Sequence, residues 1–280
     1  MRFTFLGTGT SAGIPMIGCS CAVCTSADSR DARLRTAACL EFRDAKGQDR
    51  VILLDAGPDL RMQALRKGLQ RCDAIVFTHN HVDHTFGLDE VRRFNAVQKA
   101  PIEIHADGHT MDSLERIYKH IFDRDKNVND SFVATLIPFG VSPAAIEAAE
   151  PIDLWGVRLT PIPLLHGRLA MLGWRIEAGP ELEVSESARS IFPLAYCTDV
   201  SAIPTMSWAR LTGLKTLVLD ALRERHHPTH LTLDQAIGIA GNVGADATYF
   251  IHMAHDLPHA TTQARLPATM FLSYDGLTLG

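Results

Sequence analysis

Short apolar runs closed by glycine, histidine or aspartate recur along the chain and predict strands that end in loops. In the first half these are Arg2 to Leu6, Thr36 to Phe42, Val51 to Leu54, Ala74 to Phe77 and Pro101 to His105. In the second half they are Val157 to Pro163, Ala170 to Ile176, Leu194 to Cys197, Thr216 to Leu219 and Ala247 to Ile251. Helical periodicity fits Asp59 to Leu69, Gly87 to Phe94, Met111 to Ile121 and Leu233 to Gly241, the last with Thr232 as its cap. The polar stretch Arg43 to Arg50 predicts a hairpin turn, and Asp275-Gly276 within Phe271 to Leu279 gives a second hairpin signal. The charged, asparagine-containing stretch Asp123 to Asp130 predicts a surface excursion, a candidate flap. Ala144 to Glu150 is too short for a domain linker, and the chain has no low-complexity tract or repeat of fixed period. The pattern is that of an α/β chain whose two halves each alternate strands with helices.

The strand ends carry the chemistry. The run Ala74-Ile75-Val76-Phe77 delivers Thr78-His79-Asn80-His81-Val82-Asp83-His84, three histidines and a carboxylate within six positions. A loop at a strand end can aim several such side chains at one point, and imidazole with carboxylate suits Zn, Mn or Fe better than Ca or Mg. A polar turn with surface histidines is the bland alternative, and the density and order of His-x-His-x-Asp-His argue against it. Further strands end at His166, Asp199 and His252, and another delivers Asp220. One such end would be unremarkable, but several predict that the ends converge. Asp55 closes a strand before a glycine turn, where it would either hold a metal-ligand histidine or cap the turn. His226, His227 and His230 crowd one loop before the Leu233 helix.

Composition narrows the class. The 280 residues carry a net charge of -5 and are 46% hydrophobic, an ordinary globular balance with no sign of a nucleic-acid groove. No apolar run approaches the ~20 residues that span a bilayer, and the first residues lead directly into a strand pattern, so the chain reads as cytoplasmic. Of six cysteines, Cys19, Cys21 and Cys24 stand together as Cys-x-Cys-x-x-Cys. In a reducing compartment that cluster points to a metal, and tetrahedral zinc requires a fourth ligand from elsewhere. The Gly7 to Gly13 stretch lacks the signature of a phosphate loop and reads as a tight turn that lets backbone approach the site.

Taken in order, Asp55, His79-x-His81-x-Asp83-His84, His166, Asp199 and His252 resemble the motifs of the metallo-β-lactamase-fold hydrolases. The resemblance runs from Arg2 to about His255. It is closer to the PhnP-like cyclic phosphodiesterase branch, on Cys19, Cys21 and Cys24, on His255 three residues after His252, and on Gly87-Leu88-x-x-x-Arg92. The quinone-biosynthesis relatives share the cysteines but have a degenerate first histidine motif, and the tRNA 3′-processing nucleases add a long RNA-binding arm not evident in this chain. The resemblance implies one domain over 1–280, built as two mixed β-sheets with helices outside, with a zinc loop at about 17–26. It implies two divalent ions, Zn or Mn. His79, His81 and His166 would hold the first, Asp83, His84 and His252 the second, and Asp199 would bridge them. Cys19, Cys21, Cys24 and His255 would hold a structural zinc, and Asp55 would support a ligand histidine. His230, with the family's spacing to the following helix, is the expected general acid, Asp83 stands with it among the expected catalytic residues, and Arg92 is the expected phosphate contact. The implied reaction is hydrolysis of a small, cyclic phosphodiester by a hydroxide formed between the ions. A carboxyl-ester, lactone or thioester hydrolase and a non-catalytic carrier are the alternatives. Neither membrane nor nucleic acid is expected as a partner, and a homodimer stays open.

Overall fold

Alternate residues of the strands sort into separate cores, and this sorting lays out the whole architecture. In this structure, a computed structural model, residues 1–123, 125 and 132–280 are described. One sheet contains β1 (Arg2–Gly7), β2 (Ala37–Arg43), β3 (Asp49–Leu54), β4 (Ala74–Val76), β5 (Ile102–Asp107) and β6 (Leu136–Val141). The other contains β7 (Ile152–Leu154), β8 (Val157–His166), β9 (Leu169–Ala178), β10 (Leu194–Cys197), β11 (Thr216–Asp220), β12 (Ala247–Ile251) and β13 (Met270–Leu272). A last strand, β14 (Thr278–Leu279), returns to pair with β1. On β2, Ala38, Leu40 and Phe42 face the opposite sheet, while Ala37 and Cys39 face the helices. On β10, Leu194 and Tyr196 join the central core, and Ala195 and Cys197 join the core beneath the second layer of helices. The result is helix, sheet, sheet, helix: the two mixed sheets expected from the sequence.

The sheet orders are β14-β1-β2-β3-β4-β5-β6 and β13-β12-β11-β10-β9-β8-β7. In each, one half is antiparallel and the other parallel. The parallel strands β3 and β4 of one sheet and β10, β11 and β12 of the other end beside the functional residues, at the carboxyl edge where open sheets place their ligands.

Several expectations change. The strands β6 and β7 have no clear sequence signal: β6 is an exposed edge strand containing Pro138 and Gly140, and β7 is only three residues long. The Met111 to Ile121 helix is two pieces, Gly108–Ile117 and Lys119–Phe122, divided at Tyr118. The stretch from Gly87 is a 3-10 turn, Leu88–Val91, that passes into the helix Arg92–Gln98. Asp275-Gly276 does not join a hairpin, because the strands on either side of it lie in different sheets. Asp275 instead accepts hydrogen bonds from the Thr8 amide and hydroxyl and from the Leu34 amide, fastening the crossing to the glycine turn. The flap expected over Asp123 to Asp130 lies, except for Asp123 and Asp125, outside the described residues. Among the described residues no helix is long and apolar enough to cross a membrane.

Candidate metal centre and active site

The histidine motif folds as a strand end followed by one short helical turn, Val82–Thr85, which turns Asp83 and His84 back beneath His79. Close backbone packing fixes this turn. A Cβ on Gly57 would lie 2.0 Å from the Asp83 carbonyl oxygen, so the loop after β3 accepts only glycine there. Three residues at strand ends, Asp55, Asp199 and His252, adopt left-handed backbone conformations with φ of 64°, 56° and 62°. For a non-glycine residue that conformation costs ~1 kcal/mol or more, and it turns each side chain off the strand toward the shared rim.

The converging side chains form two adjoining groups, His79, His81 and His166 in one and Asp83, His84, Asp199 and His252 in the other. In each group the ligating atoms lie within 4.8 Å of one another. Asp199 faces both: its Oδ1 is 4.0 Å from His79 Nε2 and 3.1 Å from His252 Nε2, and its Oδ2 is 3.2 Å from His84 Nε2. Asp83 Oδ2 stands 3.4 Å from His84 Nε2 and 3.7 Å from His252 Nε2.

The other ring nitrogens are held from behind. His84 Nδ1 donates to Asp55 Oδ2 at 2.8 Å, and His166 Nδ1 to the Thr229 carbonyl at 2.7 Å. His79 Nδ1 lies 2.9 Å from the Thr78 hydroxyl, which itself donates to Asp55 Oδ2 at 2.9 Å. With Nδ1 engaged from behind, the lone pair of each ring in its neutral form falls on Nε2, the atom that faces the cluster. Nε2 of His79, His84 and His252 is buried and makes no hydrogen bond. An unsatisfied buried nitrogen is costly, and three around one carboxylate form a donor set for cations of the Zn or Mn class. Without bound cations the cluster would balance its charge through protons. Burial works against the charge on His84, but Asp199, Asp55 and Asp83 outweigh it and hold the imidazole well above its usual range. Burial likewise opposes ionisation of Asp199, which His252 and His84 nevertheless keep well below the carboxylate range.

The cleft above has a volume of about 410 Å³. Its walls include Ser11, Asn80, Val82 and His230 besides His81, Asp83, His166, Asp199 and His252. His230 is buried, and its Nδ1 lies 3.2 Å from Asp220 Oδ1. The same carboxylate oxygen is 3.6 Å from His252 Nδ1, so Asp220 sits behind both rings. His227 Nδ1 takes up Thr229 at 3.1 Å, and neither His226 nor His227 lines the cleft. Ser11 and Asp220 were not assigned a part from sequence. The strand end at Asp220 was the available signal for one, and the glycine turn that brings backbone to the site was the signal for the other. Arg92 is not brought to the cleft. It pairs with Asp89 at 2.9 Å on an exposed face, because Leu88–Val91 is a 3-10 turn and the helix that begins at Arg92 lies outside the rim.

Cys19, Cys21 and Cys24 place their sulfurs 3.3, 3.4 and 3.6 Å from His255 Nδ1. A tetrahedron with bonds of about 2.3 Å to sulfur and 2.0 Å to nitrogen has S···N edges of roughly 3.5 Å, so this donor set fits zinc. The Cys24 backbone amide lowers the Cys21 thiol to about 6, while burial raises Cys24 to about 11. One loop serves both clusters: His252 and His255 flank Met253, whose amide donates to the Thr8 carbonyl and whose carbonyl accepts from the Thr10 amide.

Comparison with known proteins agrees with this fold. A beta-lactamase superfamily domain model matches residues 50–253. A solved diphosphatase of the PhnP family is 39% identical, with a TM-score of 0.83 over 100% of this chain and 97% of its own. An octanoyltransferase of Porphyromonas gingivalis is 31% identical over 99% of this chain, which spans only 51% of that protein, about half its length. The Zn-bound PqqB of Methylobacterium extorquens, at 19% identity and a TM-score of 0.74 over 100% of both chains, shares the fold.

Proposed function

The chain belongs to the beta-lactamase superfamily and, within it, to the PhnP family, and from that premise we propose that it is a metal-dependent hydrolase of small phosphodiesters, cyclic ones included. The observation that carries the reading is the set of open imidazole nitrogens around Asp199. In this reading His79, His81 and His166 would hold one divalent ion, Asp83, His84 and His252 would hold the other, and Asp199, which faces both groups, would serve the two. Zn and Mn both suit those donors. Bound there, two such ions supply Lewis acidity toward phosphoryl oxygens and an activated water.

The chain's own residues then do the rest. Asp55 holds His84 directly and His79 through Thr78, so the ligand rings keep their direction. Water adds to phosphorus in line with the departing oxygen, and the P–O bond to that oxygen breaks. An alkoxide leaves poorly unless it gains a proton. His230 is the donor in this reading: Asp220 accepts from its Nδ1, and in the imidazolium form the Nε2 proton would face the leaving oxygen. A cleft of about 410 Å³ suits a small ester. Cys19, Cys21, Cys24 and His255 hold a separate structural zinc.

Metal analysis with a substrate screen tests the proposal. The protein loaded with Zn or Mn should cleave bis-p-nitrophenyl phosphate and small cyclic phosphodiesters, and prefer them to lactones, carboxyl esters and thioesters. Preference for the acyl substrates would assign the same site to acyl chemistry. No turnover by a fully loaded protein would leave a carrier.

A further inference from the structure

A groove of about 670 Å³ lies beside the metal cleft, lined by Asp107, His109, Ile146, Pro163 and Met206 among others. We infer that it seats an uncharged, largely apolar substituent of the substrate, an alkyl or aryl group esterified to the same phosphate that enters the metal cleft. The inference rests on the phosphodiesterase reading and adds to it the class of group the substrate carries.

Continuity between the two hollows is the first support. Asn80 lines the cleft, and its Nδ2 lies 3.3 Å from Nε2 of His109, which lines the groove. A substituent on a phosphate bound at the histidines would therefore enter the groove past Asn80 and His109.

The chemistry of the walls selects the substituent. Val141, Pro143, Ile146, Pro163 and Met206 give an apolar lining, and Met206 is 50% exposed, a large adaptable side chain without a cover among the described residues. Among the described residues the charged groups in the lining are Asp107 and Glu147, and no lysine or arginine joins them. A second phosphate would meet two carboxylates there and no cation, so the geometry favours a neutral group. The volume fits a benzene ring or a chain of several methylenes.

The test uses the full, metal-loaded chain and a series of p-nitrophenyl phosphodiesters. The leaving group stays constant while the second substituent is methyl, butyl or phenyl. Since a fully buried methylene is worth about a fourfold gain, kcat/KM should rise roughly tenfold or more from methyl to butyl. Met206→Asp should collapse the butyl-to-methyl ratio toward one. Because each ratio is taken within one protein, a partial loss of folded material does not affect it. A second readout needs no turnover: in ¹³C-methyl-methionine spectra, butylphosphonate should shift the Met206 resonance and methylphosphonate should not. Turnover with a flat series and an unmoved Met206 signal would overturn the inference while leaving the phosphodiesterase reading intact. A Met206 shift that follows protein concentration instead of ligand would give the groove to a second copy of the chain and overturn it as well. Failure to cleave any diester would remove the phosphodiesterase reading and this inference with it.

Discussion

Asp55 Oδ2 lies 2.8 Å from His84 Nδ1, and neither side chain has any solvent exposure. The same carboxylate accepts from the Thr78 amide at 2.8 Å and its hydroxyl at 2.9 Å, so one anion fixes two imidazoles of the cluster. Asp55→Asn should keep the backbone, since asparagine tolerates the left-handed φ of 64° found there. It should weaken the ion held by His84 by roughly 10- to 100-fold. Metal titration checks this, and unchanged affinity would reduce Asp55 to a turn residue.

Removal of the ions should make stability depend on pH in a defined way. His84 and His252 are raised in the folded chain, against their burial, by Asp199 and neighbouring carboxylates, so their contribution is full below the unfolded value of 6.5 and fades as pH rises. His79, His81 and His166 are lowered, first by burial, so theirs is full above 6.5 and fades as pH falls. The stripped protein should therefore be most stable near pH 6.5 and weaken on both sides. Ion binding requires deprotonated ligands and favours high pH. The gap in Tm between loaded and chelator-treated protein should widen from pH 6.5 to 9, and a constant gap would contradict this assignment of protons.

Cys21→Ser should cost about one zinc per chain and lower Tm, because a structural zinc contributes directly to folding. The effect should reach the cleft through Met253, whose backbone ties the His252–His255 loop to Thr8 and Thr10. Elemental analysis and calorimetry measure both, and full zinc retention with an unchanged melt would exclude Cys21 as a ligand.

His230→Ala should slow an alkyl or ribose cyclic phosphate by roughly 10²–10⁴-fold and a p-nitrophenyl ester far less, at equal metal content. Asp220→Asn should show the same substrate dependence in smaller degree, since it keeps the ring but loses the anion behind Nδ1. Equal losses on both substrates would remove His230 as proton donor.

Much of this was legible in local sequence. A strand end followed by four closely spaced polar ligands limits the structures available to it, so His79, His81, Asp83 and His84 are brought together as their spacing predicts. Residues whose place depends on unusual backbone were harder to read. Nothing in Leu54-Asp55 or Thr198-Asp199 announces a left-handed turn, which tertiary packing imposes. Arg92 failed for a related reason: a pattern of spacing assumes a continuous helix, and the intervening turn is 3-10. Edge strands such as β6 escape because half their backbone pairs with no neighbour and their exposed face demands no alternation. Asp275-Gly276 looked local and proved to be a long-range fastening to Thr8 and Leu34.

The loop from His252 to His255 brings a histidine to each cluster and pairs with backbone at Thr8 and Thr10. During synthesis, neither centre can be completed until that loop has left the ribosome. At about 5–20 residues per second, Cys19, Cys21 and Cys24 wait roughly ten to fifty seconds for their imidazole. Throughout that interval three closely spaced thiols depend on their surroundings to stay reduced, so correct maturation of this fold is a matter of timing as well as of sequence.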